Sequence, residues 1–428
     1  SLGNRDAQVC VLLTTLFFAF NVSQFWNNWS VDLSAYYYAG DFFGLGQLDQ
    51  VYAGPPQIIG PEMPEAWTAA VAATGIPGEQ TYPFIYLPWV AAVMAPIARN
   101  FAPQTVMNSA LLVNCALMAW SVFLARKIMN PKTIPKWMWA GISFTILFTS
   151  AASVLALALG QIQILVITCC LLAFERYRAG AFWAAGAALA MAACLKITPA
   201  ALIIVFLWDR NWRAVLSFSL VCAFIGVLSL ITIGLPLHFQ YFGLMQKLSD
   251  QVFIASIAFS VEGFVYQIWD VINGTAPIHV TNEYIYAKPP WIDHVAKATF
   301  LTGLIAIWTT TRRLGEDQKI ARQIFTLSIL IPLCAPLGWI HYFLLTAYLL
   351  PGLLEHMNRK LATGMIVLFG IALSAYTMLA LIIPGLKVMP QIILCVPVLT
   401  LILVATLVFG YRRTEDPNLL DLEILPAE

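Results

Sequence analysis

Residues 31–52 bring acidic and aromatic side chains together directly after the first apolar segment of the chain. The acidic residues are Asp32, Asp41 and Asp49, and the tyrosines are Tyr36, Tyr37, Tyr38 and Tyr52. An ionised carboxylate beside hydrocarbon costs free energy unless it is solvated, paired or functional. This stretch is therefore a candidate site at the edge of a bilayer. A second interpretation stays open, in which Asp32 only caps a short helix and the tyrosines form an interfacial aromatic belt.

Asp32 is the best candidate for a catalytic base. A sugar hydroxyl that attacks an anomeric carbon loses its proton as the new bond forms, and a carboxylate within hydrogen-bond reach can accept that proton. A general base typically contributes about a hundredfold to ten-thousandfold to the rate. The base and the helix-cap interpretations of Asp32 are compatible with each other.

Lys196 and His341 are candidate ligands for a phosphate. Lys196 lies between Leu195 and Ile197 in an apolar run, and a buried lysine without a partner tends to lose its charge, so a bound phosphate is the preferred explanation. The alternative is a lysine that extends to the lipid headgroups. His341 follows Trp339 and can bind phosphate as imidazolium or donate one hydrogen bond when neutral, although an interfacial aromatic belt also accounts for it.

Three further polar residues are weaker candidates for binding a sugar. Gln161 and Gln163 flank Ile162 at a predicted membrane turn, where an amide can bond to sugar hydroxyls or to exposed backbone groups, and we favour the backbone role for Gln163. Glu262 is a candidate for the acceptor side of the site. No spacing of His, Cys, Asp or Glu predicts a metal site, and no cofactor is expected.

The composition identifies an integral membrane protein. Of 428 residues, 60% are hydrophobic and only 11% are charged, far below the roughly 25% that is typical of soluble domains. The net charge of +1 gives no basic patch, so a nucleic-acid partner is not expected. All eight cysteines fall in apolar runs and are expected to be small core residues. The expected partner of the chain is the lipid bilayer.

Runs of about 20 apolar residues predict twelve membrane spans in one domain covering residues 1–428. The first span is residues 9–26, which we expect to be retained. The first outer loop is predicted at 27–103 and the second at 234–290. The first loop is expected to hold a short helix near 65–73 and a half-inserted interfacial helix at 82–99, which is interrupted by prolines. Residues 196–199 form a turn that we expect below the outer headgroups.

The distribution of basic residues orients these spans. Most of the 23 Lys and Arg residues fall on the side that also holds both termini, which the positive-inside rule assigns to the cytoplasm. Those predicted outside are Arg99, Lys196, Lys247, Lys288, Lys297 and Lys387. Asp32, the helix at residue 82, Lys196 and His341 should then meet in the outer leaflet. A lipid phosphate presents its head at this level, with its chain in the bilayer.

Five short motifs resemble the polytopic GT-C glycosyltransferases, and more closely the bacterial glycosyltransferase family 87, which includes polyprenyl-phosphate-mannose-dependent alpha-mannosyltransferases. The motifs occur in the family's order over most of the chain. They are DLSAYYYAG at 32–40 with Val51 and Tyr52, YPFIYLP at 82–88, Gly160 with Gln161, KITP at 196–199, and Trp339-Ile340-His341.

The resemblance implies a GT-C fold: an all-α polytopic membrane protein with its active site facing the periplasm of a bacterial inner membrane. It implies Asp32 as the base, with Lys196 and His341 near the phosphate of a polyprenyl-phosphate sugar, most often mannose, and inversion at the anomeric carbon. Transfer would be to a lipid-linked or glycan acceptor. The substrate-binding set under this resemblance is Tyr36, Asp41, Tyr82, Tyr86, Gln161, Glu262 and Trp339.

This chain departs from the family pattern at two places, both of which bear on the acceptor. Gln163 stands where relatives commonly have Asn, and the second outer loop lacks a frequent Asn-Gln-Ser. A polyprenyl-phosphate-arabinofuranose-dependent transferase therefore stays open as an alternative. A flippase or transporter for lipid-linked sugars is the alternative from another class, because it would also place polar groups between helices.

Overall fold

Helices form almost all the regular structure of the computed structural model, which describes residues 2–53, 63–75, 79–274, 284–384, 386 and 388–409. Parts of both predicted outer loops, the cation Lys387 and the predicted segment after residue 409 lie outside the described residues. The described part is an all-α membrane protein apart from two short strands. These strands, which the sequence analysis did not predict, pair antiparallel with Gln251 opposite Ala287.

The first part of the chain folds into two long helices that flank three shorter ones. The helices are α1 Leu2–Phe25, α2 Val31–Gly44, α3 Glu65–Ala72, α4 Pro88–Asn100 and α5 Pro103–Met129, with a 3-10 turn at Leu48–Gln50. The predicted interfacial helix at 82–99 is thus shorter than expected, because residues 82–87 are not helical. Leu87 precedes Pro88 and is extended, as a residue before proline prefers, and Pro88 starts the helix.

The middle of the chain forms a series of antiparallel helices. They are α6 Lys136–Thr149, α7 Ala151–Ala158, α8 Gln163–Arg178, α9 Phe182–Leu195, α10 Ile203–Trp208 and α11 Trp212–Ile233, with a 3-10 turn at Thr198–Leu202 before α10. The apolar side chains of α11 are largely exposed, Phe224 by 67% and Ile231 by 77%. Such a surface is suited to contact with lipid chains rather than water.

The last part contains the strands and a set of broken helices. The elements are α12 Leu235–Ser249, β1 Gln251–Ile254, α13 Val261–Asn273, β2 Tyr284–Ala287, α14 Pro290–Thr311, α15 Glu316–Cys334, α16 Leu344–Leu349, α17 Leu353–His356, α18 Arg359–Ala372, α19 Ala375–Ala380 and α20 Pro390–Phe409, with 3-10 turns at Ile340–Phe343 and Leu350–Gly352. Helix α12 was not predicted, although Leu237, Tyr241, Met245 and Leu248 follow a helical spacing.

Four helices among the described residues are long and apolar enough to cross a membrane, namely α1, α5, α11 and α20. The predicted number of twelve spans is not confirmed. Several apolar segments form short or divided helices in the structure. The segment of α18 and α19, for example, is divided at Ser374, whose hydroxyl caps α19.

Helices α2 and α4 pack unusually closely, and glycines make this approach possible. A Cβ atom on Gly40 would lie 2.7 Å from Cβ of Met94, and one on Gly44 would lie 2.9 Å from Cγ of Arg99. The Tyr37 hydroxyl donates hydrogen bonds to the carbonyls of Ala98 and Phe101 at 3.1 and 2.8 Å. These contacts fix α2, and therefore its first turn, against the rest of the chain.

Candidate active site

A cavity of about 260 Å³ lies where distant segments of the chain meet, and we call it the Asp32 cavity. Six residues that the sequence analysis had selected line it. They are Asp32, Tyr82, Tyr86, Gln161, Trp339 and His341. They come from α2, the extended segment before α4, the turn before α8 and the turn before α16. The fold thus brings together residues that are up to about 300 positions apart in the sequence.

Asp32 lies in the first turn of α2, and Ser30 rather than Asp32 occupies the cap position. The interpretation of Asp32 as the helix cap is therefore wrong. The backbone N–H groups of Asp32 and Leu33 donate to the carbonyl of Leu159 at 3.1 and 3.2 Å. Carboxylates are stabilised in the first turn of a helix by its dipole, which helps an acid to stay ionised at this position.

Gly160 allows the turn before α8 to touch the start of α2. Its φ of +66° lies in the left-handed region, and a Cβ atom there would lie 2.8 Å from Cβ of both Ser30 and Leu33. This contact places Gln161 beside Asp32, and the Gln161 Nε2 donates a hydrogen bond to Oδ2 of Asp32. The Gln161 side chain is 4% exposed, and its Oε1 has no partner among the described residues.

His341 is held in the cavity by a second glycine turn. Gly338 has a φ of +50°, and a Cβ atom there would lie 2.8 Å from the carbonyl carbon of Phe259. The Phe259 N–H donates to the Gly338 carbonyl at 2.7 Å, and the Ile340 N–H donates to the Ile257 carbonyl at 2.8 Å. Residues 257–260, which follow β1, therefore determine where His341 lies.

The imidazole of His341 is buried without a hydrogen-bond partner. It is 3% exposed, and among the described residues neither Nδ1 nor Nε2 makes a hydrogen bond. The ring of Trp339 lies nearly parallel to it, with centroids 6.2 Å apart. Buried polar groups in folded proteins are nearly always hydrogen-bonded, so an exception at a cavity wall indicates a ligand.

Lys196 lines an adjacent cavity of about 170 Å³, which we call the Lys196 cavity. The two cavities share Ile85 and Tyr86 as wall residues. The ammonium group of Lys196 lies over two aromatic rings, 4.5 Å from the centroid of Tyr342 and 5.7 Å from that of Tyr86. It makes no ion pair with any described carboxylate.

Burial dominates the electrostatics of Lys196, which lies in the turn after α9. Loss of solvent around the ammonium group lowers its pKa to about 7, and attraction to Asp32 opposes this shift only in part. The side chain therefore changes charge near neutral pH. The turn itself is tied to α4, because the Trp89 Nε1 donates to the Cys194 carbonyl at 2.8 Å and satisfies one free carbonyl at the end of α9.

Aromatic residues lie at the boundary between the two cavities. The rings of Tyr36 and Tyr86 have centroids 4.4 Å apart, and Tyr36 is buried behind Tyr86 rather than lining the cavity. The Tyr52 hydroxyl donates to the carbonyl of Tyr86 and fixes its backbone. Tyr342 contacts Lys196 and was not selected from the sequence, although its position directly after His341 was a usable signal.

Besides Tyr36, two predicted substrate-binding residues lie outside the Asp32 cavity, and both are carboxylates. Asp41 forms an ion pair with Arg99 at 3.3 Å, because nine helical residues after Asp32 place it on the opposite face of α2. Glu262 forms a buried ion pair with Lys288 at 2.7 Å, with both side chains less than 5% exposed. Burial raises the pKa of Glu262 and the hydrogen bond from Lys288 opposes that shift. Both carboxylates thus have structural partners.

Metal ligands do not cluster in the part of the chain that is described, where no group of three or more His, Cys, Asp or Glu side chains is arranged to hold an ion. The polar groups that line the two cavities include one carboxylate, one imidazole, one ammonium group and one amide, together with several hydroxyl groups. A carboxylate can accept a proton, and an ammonium group and an imidazole can bind an anion.

Comparison with known proteins gives one result. The family model described as glycosyltransferase family 87 matches residues 84–336, which is more than half of the chain. The matched segment includes Tyr86, Gln161 and Lys196 but ends before His341 and begins after Asp32. No curated protein and no solved structure was found to match the chain.

Proposed function

This chain belongs to glycosyltransferase family 87, and we propose that it transfers mannose from a polyprenyl-phosphate donor to a lipid-linked or glycan acceptor. The family makes it a membrane glycosyltransferase. The observation that supports the finer proposal is a pair of adjacent cavities that share Tyr86 as a wall residue. One holds Asp32 and His341, whose ring nitrogens have no hydrogen-bond partner among the described residues, and the other holds Lys196, which forms no ion pair with a described carboxylate. We place the site at the periplasmic face of a bacterial inner membrane, with both termini in the cytoplasm.

Asp32 acts as the general base in this proposal. The acceptor oxygen attacks the anomeric carbon from the side opposite the phosphate, so that a new C–O bond forms while the bond to the phosphate oxygen breaks. Polyprenyl phosphate leaves with the bonding electron pair, and Asp32 takes the hydroxyl proton. Gln161 orients the carboxylate through its hydrogen bond to Oδ2. The anomeric configuration is inverted, because a single displacement takes place.

Lys196 and His341 bind the donor phosphate. A phosphate supplies the negative charge that Lys196 lacks and the hydrogen-bond acceptor that His341 lacks. Both interactions strengthen as charge develops on the leaving group, so they favour the transition state over the bound donor. Tyr86 borders both cavities, and the transferred sugar lies beside it. Tyr82 and Trp339 form further walls of the sugar and acceptor side.

The decisive experiment uses purified protein with labelled polyprenyl-phosphate-mannose and a membrane lipid extract. We expect a labelled glycolipid with the wild-type protein and a loss of about a hundredfold to ten-thousandfold in Asp32→Asn, since an amide cannot accept the proton. Donor affinity and the thermal unfolding midpoint of Asp32→Asn should stay close to the wild-type values. Asp49→Asn is the matched control, because Asp49 is exposed and, among the described residues, its side chain accepts a hydrogen bond from neighbouring Gln50 alone.

Each alternative gives a different result in the same assay. Full activity in Asp32→Asn would rule out Asp32 as the general base. Product formed only from polyprenyl-phosphate-arabinofuranose would show that the transferred sugar is arabinofuranose and not mannose, without contradicting the mechanism. Movement of a labelled lipid across proteoliposomes without product, also in Asp32→Asn, would identify a transporter.

A further inference from the structure

We propose that the Lys196 cavity binds the isoprenoid chain of the donor next to its phosphate, and that α12 forms the wall between this chain and the bilayer. This inference rests on the proposed function, because it concerns the lipid part of the same donor. It assigns a role to α12, a helix that the sequence analysis did not predict.

The walls of the Lys196 cavity combine one cation with apolar surface. Lys196 is the one basic residue among the described residues that line the cavity, and residues from α12 supply part of its wall. Those α12 residues are Tyr241, Met245, Leu248 and Ser249. Leu195, Ile197 and Leu337 complete the apolar lining. Methionine at such a wall adapts its shape readily, which suits a flexible chain.

Helix α12 has two apolar faces with different environments. Leu237, Tyr241 and Leu248 are buried against the protein, whereas Leu235, Phe239 and Phe242 are 57%, 68% and 60% exposed. The chain changes direction between α11 and α12 at Gly234, whose φ of +91° excludes most other residues, and Pro236 follows in the first turn. A helix that exposes one apolar face directly after a spanning helix is suited to lie in the membrane interface.

Charge and polarity together select a lipid phosphate as the occupant. A water-soluble sugar phosphate would leave the apolar walls of the Lys196 cavity uncovered, while a neutral lipid would leave Lys196 without a counterion. The groups suited to a sugar, Asp32 and Gln161, line the other cavity. Ile197, in the cavity wall, is 51% exposed and marks the side on which a chain reaches the bilayer. The sugar therefore points to the Asp32 cavity and the chain to α12.

Photolabelling tests the site without relying on activity. The probe is a polyprenyl phosphate with a diazirine on the isoprene unit nearest the phosphate, bound to the full-length protein in nanodiscs. We expect labelled peptides from α12 or the turn after α9, and competition by unlabelled polyprenyl phosphate but not by inorganic phosphate. Label confined to the exposed faces of the spanning helices would overturn the proposal, as would equal competition by inorganic phosphate.

A cavity-filling variant tests the same site by kinetics. Met245→Trp should lower kcat/KM for the polyprenyl donor by about tenfold, because the larger side chain occupies the space of the chain. Its kcat/KM for a chainless methyl-phosphate sugar should not change. Phe239→Trp, on the exposed face of α12, is the matched control and should behave as the wild type with both donors. Equal losses with both donors in Met245→Trp would overturn the lipid site.

The two proposals fail in distinguishable ways. Label on α12 without sugar transfer from any donor would refute the proposed function and leave a lipid-phosphate site. Transfer with no label on α12 or the turn after α9 would refute the lipid site and leave the proposed function.

Discussion

The cavities at the two ends of α8, α9 and α15 differ in how their charged groups are paired. One cavity, of about 560 Å³, lies at the ends that carry Arg178, Phe182 and Glu316, and we call it the Lys319 cavity. The Asp32 and Lys196 cavities lie toward the other ends of these helices. By volume and polarity alone, the Lys319 cavity would be the better candidate for a site.

The charges of the Lys319 cavity neutralise one another. Lys319 lies 2.7 Å from Asp209 and 2.8 Å from Glu316, and Arg178 lies 2.6 Å from Asp317. The Tyr177 hydroxyl donates to Asp209 at 2.9 Å. These pairs join the ends of three helices, which is a structural role. Lys196, by contrast, forms no ion pair with a described carboxylate, and His341 makes no hydrogen bond among the described residues. Polar side chains without a bonding partner, rather than a large cavity volume, are therefore the better indication of a binding site. Charged groups that pair with one another indicate a structural contact between helices.

Within this comparison of the two regions, the largest effect should come from replacing one lysine of each region by methionine. Lys196→Met should lower kcat/KM for the donor by about 10-fold to 150-fold, since a hydrogen bond to a charged group is worth about 1.5–3 kcal/mol. Its thermal unfolding midpoint should not fall, because the variant removes a desolvated cation. Lys319→Met should lower the midpoint and leave KM near the wild-type value, since it leaves two acids without their cation. Equal losses of stability in both variants would remove the distinction.

The pH dependence of donor affinity should be a smaller effect and should follow Lys196. The free protein loses this charge as pH rises through the pKa of about 7, so the Kd of the donor should rise by up to about tenfold per pH unit above 7. Below that pKa the Kd should be insensitive to Lys196. Isothermal titration calorimetry between pH 6 and about 9 measures this trend. Persistence of the same trend in Lys196→Met would assign it to another group.

The pH dependence of the free energy of unfolding provides an independent test of the Lys196 pKa. The unfolded chain keeps the ordinary lysine pKa of about 10.4, so it binds more protons than the folded protein between the two values. The Lys196 contribution to the free energy of unfolding should therefore rise with pH across that window. Lys319, whose pKa is raised by its hydrogen bonds to Asp209 and Glu316, should contribute with the opposite sign at higher pH.

The smallest effect should come from Gln161, whose amide donates a hydrogen bond to the Asp32 carboxylate. Gln161→Leu should lower kcat by about fivefold, consistent with roughly 1 kcal/mol for one hydrogen bond, and should leave the Kd of the donor unchanged. Gln391→Leu is the matched control: the Gln391 side chain is also buried, donates to one carbonyl and has an unpartnered Oε1, but it lies at the start of α20. A fall in donor affinity with Gln161→Leu would indicate contact with the donor instead.

Several parts of this protein were determined by the sequence alone. The apolar composition indicated a membrane protein, and its runs of about 20 apolar residues predicted helices, because a helix needs about that length to cross a bilayer. Gly160 with Gln161, the turn at Lys196 and the segment at His341 were all identifiable as short motifs, and the family match agrees with the resemblance that they indicated.

The tertiary structure alone decided which of the candidate residues meet. Asp32 and Asp41 have the same chemistry in the sequence, yet Asp41 faces Arg99 while Asp32 faces Gln161 and the cavity. Glu262 forms an ion pair with Lys288, which lies 26 positions later in the sequence. Lys288 directly follows the second strand of the hairpin, which was not predicted. Local sequence sets the type and spacing of polar groups, but whether a charge has a partner depends on long-range packing.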